Sequence, residues 1–170
     1  TFNALLMIAR AESGQARDGM TDFDASEIAH GIGELYEPLA DDKGVLLSYE
    51  GQRAVTGWAD PVALSSGLDA LVDNALKFTP AGERVTVGVA PDGECVRITV
   101  CDHGPGLTED ELARIGDRFW RSGRHQNVSG SGLGLSITRA LLTAGGATLS
   151  FAPHRPHGLR VTVVVPRSAP

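Results

Sequence analysis

The chain alternates long amphipathic helical segments with short runs in which every second residue is apolar, and this alternation constrains its fold most. The first long helix begins at Asp24, which forms a capping box with Glu27, and it ends before Gly44. A second begins at Asp60, with Pro61 in its first turn. Their buried faces are predicted to be Ile28, Ile32, Leu35, Tyr36 and Leu39 in the first helix, and Leu64, Leu68, Leu71, Val72 and Ala75 in the second.

Three stretches have the pattern of β-hairpins. They are residues 44–58, 84–102 and 147–166, and the first two turn at Glu50-Gly51 and Asp92-Gly93. A third helix is predicted over 133–144, closed by Gly145 and Gly146. Helices interleaved with hairpins predict an α/β fold, with a helix layer on a mixed sheet. We expect one domain over 15–170, with a polar linker at 15–22 and the end of a helix at 1–14.

Composition limits the classes of partner and location. The net charge of −6 argues against a nucleic-acid surface, because phosphate backbones bind basic fields. No apolar run approaches the roughly 20 residues that span a bilayer, and no signal peptide is recognisable. Cys95 and Cys101 lie on one predicted strand about 20 Å apart, too far for a disulfide. Unpaired thiols favour a reducing, cytoplasmic setting. Because the chain opens with Thr1 in mid-pattern, we expect it to be a piece of a longer protein.

The stretch "LVDNALKF" places two polar groups late in the second helix. Asn74 and Lys77 are three residues apart and share a helical face. A carboxamide oxygen can ligate Mg²⁺ and a lysine can meet a phosphate, so the pair suits a nucleotide site. From this octapeptide alone, two ordinary surface residues remain the simpler interpretation.

In "VCDHGPGL" a carboxylate ends an apolar row. Alternation puts Asp102 on the face of Val96, Ile98 and Val100, so it is predicted to point inward. A buried carboxylate needs hydrogen-bond donors, and the amino group of adenine would serve. Gly104 and Gly106 then let the backbone bend close to a flat ring. The alternative is a turn with a capping aspartate.

"GSGLGL", residues 130–135, has glycines that could admit a phosphate. A Rossmann fingerprint would need glycine where Leu135 stands, and the chain contains no Gly-Lys-Ser/Thr of a P-loop. The preceding segment is basic, with arginines and the Phe119-Trp120 pair. It predicts either a mobile lid that presents cations to phosphates or an ordinary solvated basic face.

In order and spacing, "LVDNALKFTP", "DHGPGL", "RFWR" and "GSGLGLSI" resemble the asparagine, first glycine, phenylalanine and second glycine boxes of the catalytic domain of sensor histidine kinases. The stretches "ELYEPLADDKGVLL" and "LRVTVVVP" extend the resemblance over nearly the whole chain. Residues 1–14 are similar to the end of the second helix of the dimerisation and phosphotransfer domain. The resemblance implies a Bergerat-type two-layer sandwich, a mixed sheet covered on one face by helices with a mobile ATP lid, that binds ATP and Mg²⁺.

The same resemblance implies roles for individual residues. Asn74 becomes a Mg²⁺ ligand, Lys77 a phosphate contact and Asp102 the reader of adenine. The base pocket is formed by Phe78, Gly104, Gly106 and Leu107. The lid contributes Arg118, Phe119 and Arg121, while Gly130, Gly132, Leu133 and Gly134 bring backbone N–H groups and a helix N-terminus to the triphosphate.

The sequence departs from the family at two points. The asparagine box has Ala70 at its first position, one turn before Asn74, which removes a polar group from the site. The acceptor histidine with a following acidic residue is also missing, since His30 is followed by Gly31. His154 and His157 are expected in a solvated turn.

The implied function is donation of the γ-phosphoryl of ATP to a histidine outside this chain. The implied partners are the protein's own dimerisation domain and a response regulator, in a homodimeric intact protein, with this fragment a monomer. Three alternatives stay open: an ATPase of the gyrase or mismatch-repair kind, an anti-sigma serine kinase, and a degenerate nucleotide-sensing module. Such ATPases place a glutamate where Ala70 stands, so the sequence argues against hydrolysis.

Overall fold

The computed structural model describes residues 19–106, 133–154 and 157–169. The helices are α1 (Ala25–Lys43), α2 (Pro61–Phe78) and α3 (Leu133–Ala144). The strands are β1 (Thr21–Asp24), β2 (Leu46–Gly51), β3 (Thr56–Ala59), β4 (Arg84–Asp92), β5 (Cys95–Cys101), β6 (Thr148–Pro153) and β7 (Leu159–Pro166). None of the described helices is both long enough and apolar enough to cross a membrane.

A five-stranded mixed sheet in the order β2-β4-β5-β7-β6 forms the centre of the fold. β2 runs parallel to β4, and every other neighbouring pair is antiparallel. The β4–β5 hairpin and the β6–β7 hairpin confirm two of the three predicted. One face of the sheet is apolar, because alternate residues of three adjacent strands point inward: Val85, Val87 and Val89, Val96, Ile98 and Val100, and Val161, Val163 and Val165.

The predicted hairpin over 44–58 is wrong. β2 and β3 belong to different sheets, since β2 pairs with β4 while β3 pairs with β1. At Gly51 the backbone has φ +124° and lies so close to β4 that a Cβ would fall 2.1 Å from the Val89 carbonyl oxygen. After Gly51 the chain leaves the edge of β4, and β3 pairs with β1, a short strand whose first two residues lie in the predicted linker at 15–22.

α1 has both predicted caps, and three of the five residues predicted for its buried face lie against the core: Ile32 is buried, and Ile28 and Tyr36 are partly buried. Asp24 Oδ1 accepts hydrogen bonds from the N–H groups of Ser26 and Glu27, and Gly44 ends the helix with φ +73°. The face packed on the core contains Ala25, Ala29, Ile32 and Ala40, while Leu35 and Leu39 are 66% and 43% exposed. Each of these leucines precedes a residue of the packed side by one position, a rotation of about 100°. Small alanines bring the helix close to its neighbours there.

α2 is the central helix of the helical layer, and its predicted face is confirmed. Leu64, Leu68, Leu71, Val72 and Ala75 are all buried. Asp60 accepts from the N–H groups of Val62 and Ala63, as expected of an N-cap. α2 packs against α3, where Gly67 faces the fully buried Leu142.

We expect Gly67→Ala to lower the free energy of unfolding by about 1–3 kcal/mol, because the new methyl carbon would lie 2.4 Å from Leu142 Cδ2. Gly31→Ala is the matched control: this glycine also lies within a helix, but its added carbon meets nothing within 4 Å. It should stabilise the fold by up to about 1 kcal/mol through helix propensity. Urea unfolding measures both, and equal effects would contradict close α2–α3 packing.

Candidate functional site

The centre of the candidate site is Asp102, immediately after β5. It is 6% exposed and continues the inward row of Val96, Ile98 and Val100, as predicted. Its Oδ1 accepts two backbone hydrogen bonds of 3.0 Å, from the N–H groups of Gly104 and Leu159. These donors come from the next turn of the chain and from the start of β7, so two segments far apart in sequence hold one carboxylate oxygen.

Burial raises the pKa of Asp102 above its usual range, because the charged form loses solvation. The two N–H donors and the nearby imidazoles of His103 and His154 oppose this shift without cancelling it. The site therefore holds an acid whose ionised form is stabilised mainly by peptide groups. A ligand that donates a hydrogen bond to it would stabilise that charge further.

The glycines after Asp102 are required by the packing of the protein itself. A Cβ on Gly104 would lie 2.6 Å from the carbonyl oxygen of Phe78, at the end of α2. Gly106 has φ +72°, and its Cβ would lie 3.0 Å from the Gly158 carbonyl oxygen. The sequence suggested glycines for close approach to a ligand ring. In the structure their close neighbours are the end of α2 and the β6–β7 turn.

The last turns of α2 border this loop. Asn74 and Phe78 are one helical turn apart and half-buried, and the Phe78 carbonyl contacts the Gly104 backbone. Lys77 is exposed, and its Nζ lies 3.2 Å from Asp73 Oδ2 in an i, i+4 ion pair that was not anticipated. The structure thus brings Phe78, Asp102, Gly104 and Gly106 together, with Asn74 one turn back along the same helix.

The remaining predicted site residues fall largely outside the described ranges. These are Leu107, Arg118, Phe119, Arg121, Gly130 and Gly132. Leu133 and Gly134 form the first turn of α3, whose bounds match the predicted 133–144 helix.

Three histidines lie next to Asp102, and sequence reasoning did not group them. The His103 ring centroid is 4.7 Å from that of His154 and 6.0 Å from that of His157. His103 Nδ1 lies 2.7 Å from the Arg84 carbonyl oxygen. The expectation of a solvated turn is wrong for His154, which is half-buried, with an Nδ1 that lacks a hydrogen-bond partner among the described residues. No local pattern in the sequence points to this cluster, because His154 and His157 are distant from Asp102 along the chain.

Burial lowers the pKa of His154, and electrostatic interactions with His103, Arg160 and His157 add to that effect, while the nearby Asp102 opposes it. A neutral His154 therefore accompanies the buried carboxylate at neutral pH. The three rings line a groove on the sheet face opposite the helices, so they approach Asp102 from the side away from α2.

Residues 59–169 match the family model of histidine kinase-, DNA gyrase B- and HSP90-like ATPases. The chain belongs to this family. It is 36% identical over 148 residues to the probable sensor protein PcoS of Escherichia coli, covering 86% of this chain and 31% of that protein. The fold matches the catalytic domain of the histidine kinase ThkA, with a TM-score of 0.77 at 22% identity, covering 88% of this chain and 99% of that one. It also matches full-length ShkA in complex with AMPPNP, with a TM-score of 0.77 at 30% identity, covering 99% of this chain and 36% of that one.

These matches confirm the family, the two-layer α/β fold and ATP binding inferred from the four sequence motifs. The chain is a catalytic ATP-binding domain of the sensor histidine kinase type. It spans 31% of the length of PcoS, so it corresponds to one part of such a sensor protein.

The raised pKa of Asp102 gives a testable pH dependence. The Asp102 carboxylate binds a proton more readily in the folded state than in the unfolded state, where its pKa is 3.8. The contribution of Asp102 to the free energy of unfolding therefore falls as pH rises from this value through the raised pKa of the folded state. Asp102→Asn removes the titration. The variant should therefore gain stability relative to the parent from about pH 4 upward, until Asp102 is fully ionised in the folded state. Urea unfolding over that range checks this, with Asp22→Asn on an exposed position as control. A difference in stability that is independent of pH would contradict the burial effect.

Proposed function

We propose that this chain binds Mg²⁺-ATP between the end of α2 and the Asp102 turn, and that in the intact protein it donates the γ-phosphoryl to a histidine outside this chain. The observation that carries the proposal is the buried Asp102 carboxylate, held through Oδ1 by two backbone N–H groups. Membership in the family supports the nucleotide. On this proposal Asp102 recognises the base, and the other residues act around it.

Adenine recognition by Asp102 depends on which of its two carboxylate oxygens already accepts hydrogen bonds from the protein. With Oδ1 fixed by Gly104 and Leu159, Oδ2 would accept the exocyclic amino group of adenine. Guanine presents a carbonyl oxygen at that position, so two acceptors would face each other with no proton between them. Phe78, Gly104, Gly106 and Leu107 would shape the remainder of the base pocket.

The residues of α2 fit a Mg²⁺ ion that is held mainly by nucleotide and water. Mg²⁺ keeps several waters and takes one or two protein oxygens beside substrate phosphates, and the half-buried Asn74 amide supplies one such oxygen. When bound, Mg²⁺ would neutralise charge on the phosphates during transfer. Lys77 would contact a phosphate by exchanging its ion pair with Asp73 for the more highly charged ligand.

The triphosphate would extend toward the N-terminus of α3, where the helix dipole favours anions. Gly130, Gly132, Leu133 and Gly134 would offer N–H groups there. Arg118, Phe119 and Arg121 would form a lid that adds positive charge. Phosphoryl transfer depends mostly on such positioning and charge neutralisation.

The acceptor histidine would lie in a dimerisation and phosphotransfer domain of the same cytoplasmic, homodimeric protein, with a response regulator as the later partner. Within this chain His30 is poorly suited to the task, because it is followed by Gly31 instead of an acidic residue and its ring packs edge-on against Tyr49. Residues 1–14 would continue the second helix of the dimerisation domain, ahead of a catalytic domain over 15–170.

We expect ATP to bind at least tenfold more tightly than GTP, since an unpaired buried acceptor costs roughly 1–3 kcal/mol or more when charged. Asp102→Asn should weaken ATP binding and reduce the preference for ATP over GTP. In this variant Oδ1 still accepts from the same two N–H groups, while the amide nitrogen that replaces Oδ2 is a hydrogen-bond donor. Isothermal titration calorimetry with both nucleotides measures this. Equal affinities in the parent chain, or an unaffected Asn variant, would remove Asp102 from the base site.

A second prediction concerns chemistry. Incubated with γ-labelled ATP, the chain should release little phosphate, because no general base for water is identified among the described residues and such a base is typically worth 10²–10⁴-fold. It should acquire no acid-labile label, because the proposed acceptor histidine lies outside this chain. Addition of the dimerisation domain should give label on that partner. His30→Gln is the matched control and should change neither result. Rapid hydrolysis that depends on Asn74 would favour an ATPase instead.

A further inference from the structure

We propose that Gly158 and the backbone N–H of Leu159 are positioning residues for the base-reading carboxylate, so that the β6–β7 turn controls discrimination between adenine and guanine. The inference rests on the proposed role of Asp102 and extends it to two residues, Gly158 and Leu159, whose side chains carry no polar group. Neither residue is expected to touch the nucleotide. Both act through the orientation of one carboxylate.

Leu159 holds Asp102 from two sides. Its carbonyl accepts the backbone N–H of Asp102 at 3.0 Å, and its N–H donates to Asp102 Oδ1 at the same distance. The first bond extends the β5–β7 pairing by one residue beyond Cys101–Arg160. The second directs the side chain. The start of β7 therefore fixes both the position of the Asp102 backbone and the rotation of its carboxylate.

Gly158 makes this approach possible. Its backbone has φ +123°, and a Cβ would fall 2.0 Å from the Asp102 carbonyl oxygen and 3.1 Å from Oδ1. The nearest atom is backbone rather than the end of a flexible side chain. Any side chain at 158 must therefore displace the turn, and with it the N–H of the next residue.

The β6–β7 turn is also held by hydrogen bonds that do not involve Asp102. The His154 N–H donates to the Gly158 carbonyl at 3.1 Å, and His157 Nδ1 lies 3.2 Å from the Gly104 carbonyl oxygen. Gly104 supplies the other N–H donor to Oδ1. Both donors to the carboxylate thus belong to one connected unit of backbone, and a shift of the turn changes the direction of Oδ2 without removing any group that contacts a nucleotide.

The test compares Gly158→Ala with Gly93→Ala. Gly93 also has positive φ, +63°, but its Cβ would meet nothing within 4 Å, so this variant reproduces backbone strain without contact to Asp102. Titration with ATP and GTP should show about tenfold weaker ATP binding and a smaller ratio of ATP affinity to GTP affinity for Gly158→Ala, and neither change for Gly93→Ala. Carboxyl ¹³C titration should show a further rise in the pKa of Asp102 in that variant, because a donor to the charged form is lost.

A double-mutant cycle separates positioning from general destabilisation. In the Asp102→Ala background, Gly158→Ala should have a much smaller effect on the ratio of ATP affinity to GTP affinity, since the side chain through which it acts is gone. Additive effects, an unchanged ratio in Gly158→Ala, or the same loss in Gly93→Ala would overturn the inference. If Asp102→Asn alone leaves the ratio unchanged, the proposed function itself fails.

If Gly158→Ala does not fold, replacement of Leu159 by its α-hydroxy acid deletes the N–H and keeps the side chain. The ester variant should reproduce the loss of base discrimination and the higher pKa of Asp102. A parent-like ratio and pKa in this variant would likewise overturn the inference.

Discussion

The burial of the Asp102 carboxylate is the constraint to which the surrounding architecture responds. A charge at the end of an apolar strand row is unfavourable unless donors meet it, and here both donors to Oδ1 are backbone N–H groups. Backbone donors can be supplied only if two chain segments approach very closely. That requirement accounts for glycine at 104 and 158, where a Cβ would collide with neighbouring backbone oxygens.

The same contacts connect the sheet to the helical layer. Gly104 lies against the Phe78 carbonyl, so the loop that presents Asp102 is also packed on the end of α2, one turn beyond Asn74. Thr79, the C-cap of α2, is buried, and its hydroxyl accepts from the His103 N–H at 3.4 Å. The proposed base-binding and metal-binding groups therefore sit on elements that touch each other directly, and their spacing is set by backbone packing.

The sequence could predict those features that depend on local chemistry. The Asp24 and Asp60 caps, the α2 face and the inward direction of Asp102 all follow from short-range rules, and the structure confirms them. The predictions that were wrong concern contacts between residues that are distant along the chain. Alternation in 44–58 cannot show that β2 pairs with β4, and helical periodicity in α1 does not show that alanines, rather than Leu35 and Leu39, complete its buried face. For the same reason, the Leu159 donor and the histidine cluster had no local signature.

The neighbours of Ala70 bear on the choice between transfer and hydrolysis. An ATPase needs a carboxylate near the γ-phosphate to orient water, and two aspartates lie close to Ala70 in sequence. Asp69 interacts with Tyr36 of α1, which together with burial raises the pKa of that phenol, while Asp73 pairs with Lys77 at 3.2 Å. Asp73 thus has a partner within the helical layer, whereas Asp69 contacts Tyr36 and its Oδ1 is buried without a hydrogen-bond partner among the described residues. With alanine at position 70, no carboxylate is placed there to orient a water, which supports the proposed donation of the phosphoryl group to an external acceptor over transfer to water.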